Sequence, residues 1–228
     1  MLDTVLHWLG YGLCHQLPAR SFIAGGHQLP VCARDTGIYL GFVVSYLVIV
    51  LLDRGRRRGD MPEWWVLALG ALGVAAMAWD GVTSYAGLRE TTNILRLATG
   101  YMTGFAMPLV VVPLVSSQLW RRSEPGRVLE APWEAAVWLA ALPVAFAGTL
   151  WGGPAVGTLY ALLTAAAIIA TFTAVNLIIV LLAPRFERRS DRLRDAWLPL
   201  LIAVAMTFAE IAATAWVRGF LLSLVGYR

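Results

Sequence analysis

The sequence predicts an all-α fold: a polytopic transmembrane helix bundle of about six spans, preceded by an interfacial helix and loop. Two observations predict it. The chain of 228 residues is 59% hydrophobic and only 14% charged, with a mean hydropathy of +0.68, whereas soluble domains carry nearer a quarter of charged residues. Its apolar residues also gather into runs that approach the roughly 20 residues a helix needs to cross the hydrocarbon.

The runs fall near 36–52, 63–79, 94–119, 133–151, 155–183 and 197–225. The second is the shortest, bounded by Pro62 and by Trp79-Asp80, and its Trp64 and Trp65 read as interfacial anchors. Pro108, Pro113 and Pro143 fall inside runs, where proline kinks a membrane helix without ending it. Residues 1–13 place Leu2, Val5, Leu6 and Leu9 at helical spacing among His7 and Trp8. That segment is too short to span and suits a helix lying at the interface. The opening residues lack a cationic stretch and a small-residue cleavage site, so no cleaved signal peptide is expected. With no internal repeat, one membrane domain over 1–228 is expected, divided into an amino-terminal segment 1–35 and a bundle 36–225.

Arginine placement sets the expected orientation. The loops after the first, third and fifth runs hold Arg54, Arg56, Arg57 and Arg58; Arg121, Arg122 and Arg127; and Arg185, Arg188, Arg189, Arg192 and Arg194. The other side keeps Arg20, Arg34, Arg89, Arg96, Arg218 and Arg228. The positive-inside rule then puts both termini outside the cytoplasm. The formal charge of +4 comes from these loop arginines, so membrane lipid is the expected partner and nucleic acid is not.

Chemistry concentrates before the first span. Both cysteines, Cys14 and Cys32, and two of three histidines, His15 and His27, lie between residues 14 and 39. If the first helix begins near Val31, with Pro30 in its first turn, then Cys32, Asp35, Thr36 and Tyr39 share one face. Cys14, His15, His27, Cys32 and Asp35 form the candidate metal set, with a divalent ion and zinc foremost. Iron and copper accept such donors too. The spacing matches no strong zinc pattern, and a structural Cys14–Cys32 disulfide is the competing reading.

A second cluster lies between runs two and three: Asp80-Gly81, then Arg89, Asn93 and Arg96 at helical spacing. These three, with Tyr39, are the candidate substrate-binding residues, because guanidinium binds phosphate or carboxylate bidentately. Arg96 sits at the apolar boundary, where an unpaired cation is costly, so an acid such as Asp80 or Asp35, or an anionic ligand, is expected beside it. Glu210 lies in the middle of the sixth run with Thr207 and Thr214 at neighbouring turns, and Asn176 is its candidate partner. Asp80 and Glu210 are the candidate catalytic acids. The small residues of spans four to six indicate close helix packing.

These motifs resemble a family of prokaryotic multi-spanning membrane proteins of unknown function. The resemblance rests on Cys14-His15-Gln16, on Pro30-Val31-Cys32-Ala33-Arg34-Asp35-Thr36-Gly37-Ile38-Tyr39, on Asp80-Gly81, and on Arg89 through Gly100. It covers the first 100 residues or so. The family pattern has cysteine where this chain has Asp35, which removes a CxxC and weakens a dithiol redox reading; aspartate can still replace cysteine as a ligand.

Three functions are then in view. One is a metal-dependent membrane enzyme acting on a lipid-like or anionic substrate at the extracytoplasmic face. Another is a transporter of small solutes or metal ions, with Asp80 and Glu210 along its path. The third is a structural membrane protein held by the disulfide.

Overall fold

The computed structural model describes residues 1–224, which leaves residue 225 of the sixth run and Arg228 outside the described residues. Helix α1 (Leu2–Tyr11) is followed by a two-stranded antiparallel hairpin, β1 (Ile23–Ala24) and β2 (His27–Gln28). Six spans follow: α2 (Ala33–Asp53); α3 (Trp64–Tyr85); α4 (Asn93–Ala106) with α5 (Pro108–Leu119); α6 (Pro132–Ala147) with a π turn over Gly148–Gly152 and the single turn α7 (Gly153–Ala155); α8 (Thr158–Leu181); and α9 (Trp197–Leu224). All six are long and apolar enough to cross a membrane.

The third span is the most buried of the six and forms the axis of the bundle. Pro108 divides it into α4 and α5, yet Met107 keeps helical dihedrals, so the proline bends the span without ending it. Leu97, Tyr101, Phe105 and Leu109 present one buried face of the axis to Ile49, Val66 and Trp138. A polar tie crosses this core. Trp138 donates its indole N–H to Ser45 at 2.8 Å, and Ser45 donates to the Phe105 carbonyl at 2.9 Å, joining α6, α2 and α4.

The tightest seam lies between α2 and α4, in spans one and three. A Cβ on Gly100 would stand 2.0 Å from the Arg34 carbonyl oxygen, one on Gly104 2.2 Å from that of Ile38, and one on Gly37 2.4 Å from that of Leu97. Gly37 with Gly41, and Gly100 with Gly104, are two small-xxx-small pairs set face to face, which brings the helices into backbone contact.

The amino-terminal segment is pinned on one end of the bundle. Leu6, Ala24 and Leu29 pack against Tyr160 and Ala161 of α8. Gly12 abuts Thr214 and Ala215 of α9, and Gly25 abuts Thr158. Helix α1 leaves Val5 and Trp8 exposed, as an interfacial helix does. At the opposite end the three arginine-rich loops interlock. Asp60 bridges Arg127 and Trp120 bridges Ser190. The Arg57 guanidinium stacks 3.8 Å from the Trp120 ring and donates to the Asp191 carbonyl at 3.0 Å. There, too, Glu134 is buried between Arg58 at 2.8 Å and Arg56 at 3.1 Å. Trp64, Trp133 and Trp197 start their spans near this end, while Trp79, Trp151 and Trp216 are exposed toward the other, as two interfacial belts require.

Two boundaries differ from the sequence reading. Span two runs on to Tyr85, so Asp80 lies inside α3 and not in the following loop; its neutralisation by two guanidiniums makes that position tolerable. Pro30 stays outside the helix, where its carbonyl accepts a hydrogen bond from Gln16, and α2 begins at Ala33 with Cys32 as its N-cap.

Candidate functional site

The site is assembled from the loop after α1 and the first turn of α2. Helix α1 ends when the Leu13 and Cys14 N–H groups fold back onto the Gly10 carbonyl. Gln16 adopts φ 54°, a left-handed conformation that reverses the chain. Its side-chain amide donates to the carbonyls of His7, at 2.9 Å, and Pro30, at 2.8 Å, while Gln28 donates to the Gln16 carbonyl. One glutamine therefore fixes helix, loop and the approach to α2 together. Arg218 of α9 adds a clamp, stacking on Tyr11 at 4.5 Å and donating to the carbonyls of Tyr11 and Cys14.

This geometry brings Cys14 beside the α2 N-terminus. The Cys32 N–H donates to Cys14 Sγ at 3.2 Å, and the Cys32 thiol donates to the Asp35 carboxylate at 3.2 Å. Both cysteines are free in this structure. One ligand atom each from Cys14, Cys32 and Asp35 lies within 4.8 Å of the others. Hydrogen bonding from Cys32 pulls the Cys14 thiol below its ordinary pKa, and the same contact, with burial, pushes Cys32 up. The helix N-terminus adds its own positive field to this pair of sulfurs.

The cysteines line a small cavity, about 30 Å³, together with His15, Arg20, Arg34 and Arg96. That is room for one water-sized group. Arg96 is only 8% exposed; among the described residues its guanidinium donates to Asn93 alone, at 3.4 Å, and makes no ion pair. Asp80, expected as its relief, is committed elsewhere. Its carboxylate accepts from Arg34, Arg89 and, at 2.9 Å, Thr91, and it is 1% exposed.

The other candidates fall as follows. His15 is exposed and lines the same cavity. His27 is drawn away from the thiols by the hairpin and pairs with Asp3 at 2.6 Å, which holds the Asp3 carboxyl below its usual range. Tyr39 lies on the cysteine-bearing helix but two turns along, against Phe172. Arg89 is not on the helix of Asn93 and Arg96. Thr92 caps α4 by accepting from the Leu95 N–H at 3.2 Å, so the helix starts after Arg89. Asn93 donates to the Ala19 carbonyl at 3.1 Å, tying α4 to the loop. Glu210 accepts from Asn176 at 2.9 Å, as the sequence proposed, within a separate network of Thr173 and Thr207 between α8 and α9.

Three participants escaped the sequence reading: Arg34, Arg20 and Arg218. Arg34 lies outside the face shared by Cys32, Asp35, Thr36 and Tyr39, and the pairing that recruits it joins residues 46 apart. Its presence within a motif dense in polar groups was the available signal.

Comparison with known proteins gives the same assignment as the motifs. The family model described as predicted membrane protein (DUF2085) matches residues 14–110, from Cys14 through the glycine seam. An uncharacterized protein of Methanocaldococcus jannaschii is 35% identical over 112 residues, 48% of this chain and 68% of the relative. An uncharacterized protein of Methanothermobacter thermautotrophicus is 36% identical over 101 residues, 43% of this chain and 83% of the relative. No solved structure matches. The matched segment contains the thiols, Asp35, Asp80 and Arg96, and the chain belongs to the DUF2085 family of predicted membrane proteins.

Proposed function

We propose that this multi-pass membrane protein is a metal-dependent enzyme acting on an anionic group at its amino-terminal face. One observation carries the reading: the Cys14 and Cys32 sulfurs and the Asp35 carboxylate stand within 4.8 Å of one another, and both cysteines edge a cavity that Arg20, Arg34 and Arg96 also line. Two thiolates and a carboxylate are donors zinc accepts, and exposed His15 is the nearest candidate for a further ligand. A three-ligand set leaves a position open for substrate or water, where a bound ion supplies Lewis acidity. Arg96 and Arg20 hold the anion, while Asp80 acts as a positioning residue by fixing Arg34 and Arg89.

The orientation belongs to the same proposal. Interlocking of the three arginine-rich loops at one end supports a cytoplasmic placement for that end and an extracytoplasmic one for the site. A single cysteine placed at Glu124 in a Cys14→Ser, Cys32→Ser background should resist an impermeant maleimide applied to intact cells; labelling from outside reverses the orientation.

Elemental analysis of the purified protein tests the metal. About one divalent ion per chain is expected, lowered by Asp35→Ala as well as by Cys32→Ser, whereas His27→Ala should leave it in place. Protein that stays metal-free after exposure to zinc, with both thiols titratable, overturns the metal-dependent reading.

A further inference from the structure

A groove of about 580 Å³ runs between the loop after α1 and the last turns of α9. That size is typical of ligand sites. Its α9 wall carries Ala213, Val217 and Leu221, which recur every four residues and so form one stripe, with Thr214, Arg218 and Leu222 beside them. Val217 and Leu221 are about half exposed, on a helix that spans the membrane. The opposite wall carries Leu13, Cys14 and His15. Cys14 and His15 also line the arginine cavity, so the apolar groove and the cationic cavity meet at the candidate metal ligands.

We propose that the groove holds one acyl chain of an anionic membrane lipid, whose phosphate-bearing head group reaches the cavity of Arg20 and Arg96. The inference rests on the anion-binding part of the proposed function and names the substrate class. Three features select this occupant. The groove opens where α9 faces the hydrocarbon, so its filling molecule comes from the bilayer. The buried guanidinium of Arg96 lacks an acid partner among the described residues and calls for an anion. The cavity is small, about 30 Å³, so phosphate oxygens enter it while the rest of the head group stays at the mouth beside His15. A zwitterionic head would carry its own cation into an arginine cluster. Free phosphate would leave the apolar stripe unused.

The test is photo-crosslinking of the full chain in phosphatidylcholine nanodiscs, with phosphatidic acid bearing a diazirine in its acyl chain as the probe. Label is expected on peptides containing Gly12–His15 and Ala213–Leu222, competed by unlabelled phosphatidic acid but not by inorganic phosphate. Val217→Trp and Leu221→Trp fill the groove and should each lower capture about tenfold, while Phe208→Trp on the same helix should not. Arg20→Gln should erase the preference for phosphatidic acid over a diazirine phosphatidylcholine. Equal capture of the phosphatidylcholine probe by the unaltered protein overturns the anionic head group. Competition by inorganic phosphate alone, capture insensitive to both tryptophans, or a crosslinked dimer of the chain in place of a lipid adduct overturns the acyl-chain site. Metal content measured on the same samples separates the two proposals. Lipid capture without metal sinks the enzyme reading alone, and metal without capture sinks the groove alone.

Discussion

Replacing Gly100 with alanine tests the seam on which the site depends. The added Cβ would meet the Arg34 carbonyl oxygen at 2.0 Å, where ordinary contact begins at 3.4 Å. The obstacle is helical backbone, so relief requires α2 and α4 to part by more than an ångström locally. Overpacking costs about 1–3 kcal/mol, and a backbone obstacle places Gly100→Ala at the upper end. Such a loss lowers Tm by roughly 6–12 °C in a chain of this size. Intrinsic tryptophan fluorescence during heating in detergent reads it, given ten tryptophans. Gly148→Ala and Gly219→Ala are the controls, because a Cβ at either meets nothing within 4 Å. Parting the helices also draws Cys32 and Asp35 of α2 away from Arg96 of α4, so the preference for an anionic lipid should weaken as Tm falls. A Gly100→Ala protein whose Tm stays within about 2 °C of the parent, less than 1 kcal/mol on this scale, refutes backbone contact between these helices.

Three further outcomes are expected. Asp80→Asn leaves two guanidiniums without their shared carboxylate and should destabilise by about 3–5 kcal/mol in equilibrium unfolding, as breaking a buried pair does; no change would mean solvent already satisfies Arg34 and Arg89. At the α8–α9 network, Glu210→Gln keeps an acceptor for Asn176 and should stay within about 1 kcal/mol of the parent, whereas Asn176→Leu strands the carboxyl group and should cost about 1–3 kcal/mol. In metal-stripped protein, iodoacetamide should modify Cys14 before Cys32, with Cys14 reacting at lower pH. Hydrogen bonding from Cys32 lowers the Cys14 thiol and so makes its thiolate available first. Equal rates followed by peptide mass spectrometry would contradict that asymmetry.

The spans were legible because hydrocarbon thickness imposes length and apolarity on each run separately, and the structure moves their ends by a few residues only. Asn176 could be named for Glu210 because both are lone polar groups in otherwise apolar helices. Pairings between segments were not legible. Arg34 with Asp80, and His27 with Asp3, join residues 46 and 24 apart, and local periodicity carries no information about either. Arg89, Asn93 and Arg96 show what spacing alone misses: the interval is helical, but the Thr92 cap starts the helix between them. Small residues in spans four to six point to packing there, while the closest approach between spans belongs to Gly37, Gly100 and Gly104 of spans one and three. Glycine periodicity marks a face able to approach closely without naming the helix it meets.

Charge at the site bears on whether metal and anion compete or coexist. Arg20, Arg34 and Arg96 line the cavity, and Arg89 joins them through Asp80. Against these four guanidiniums stand the carboxylates of Asp35 and Asp80, which leaves two positive charges with both thiols protonated. A divalent ion held by two thiolates adds two charges and displaces two protons, so the balance is unchanged. Metal binding therefore does nothing to relieve Arg96, and an anion does nothing to replace the metal. A phosphate monoester carries close to the two negative charges needed near neutral pH, and its acceptor oxygens pair with the planar fork of a guanidinium. Since the electrostatic demand is the same with or without the ion, the anion preference should persist in metal-stripped protein. Loss of that preference on stripping would instead make the metal, and not the arginines, the anion's principal partner.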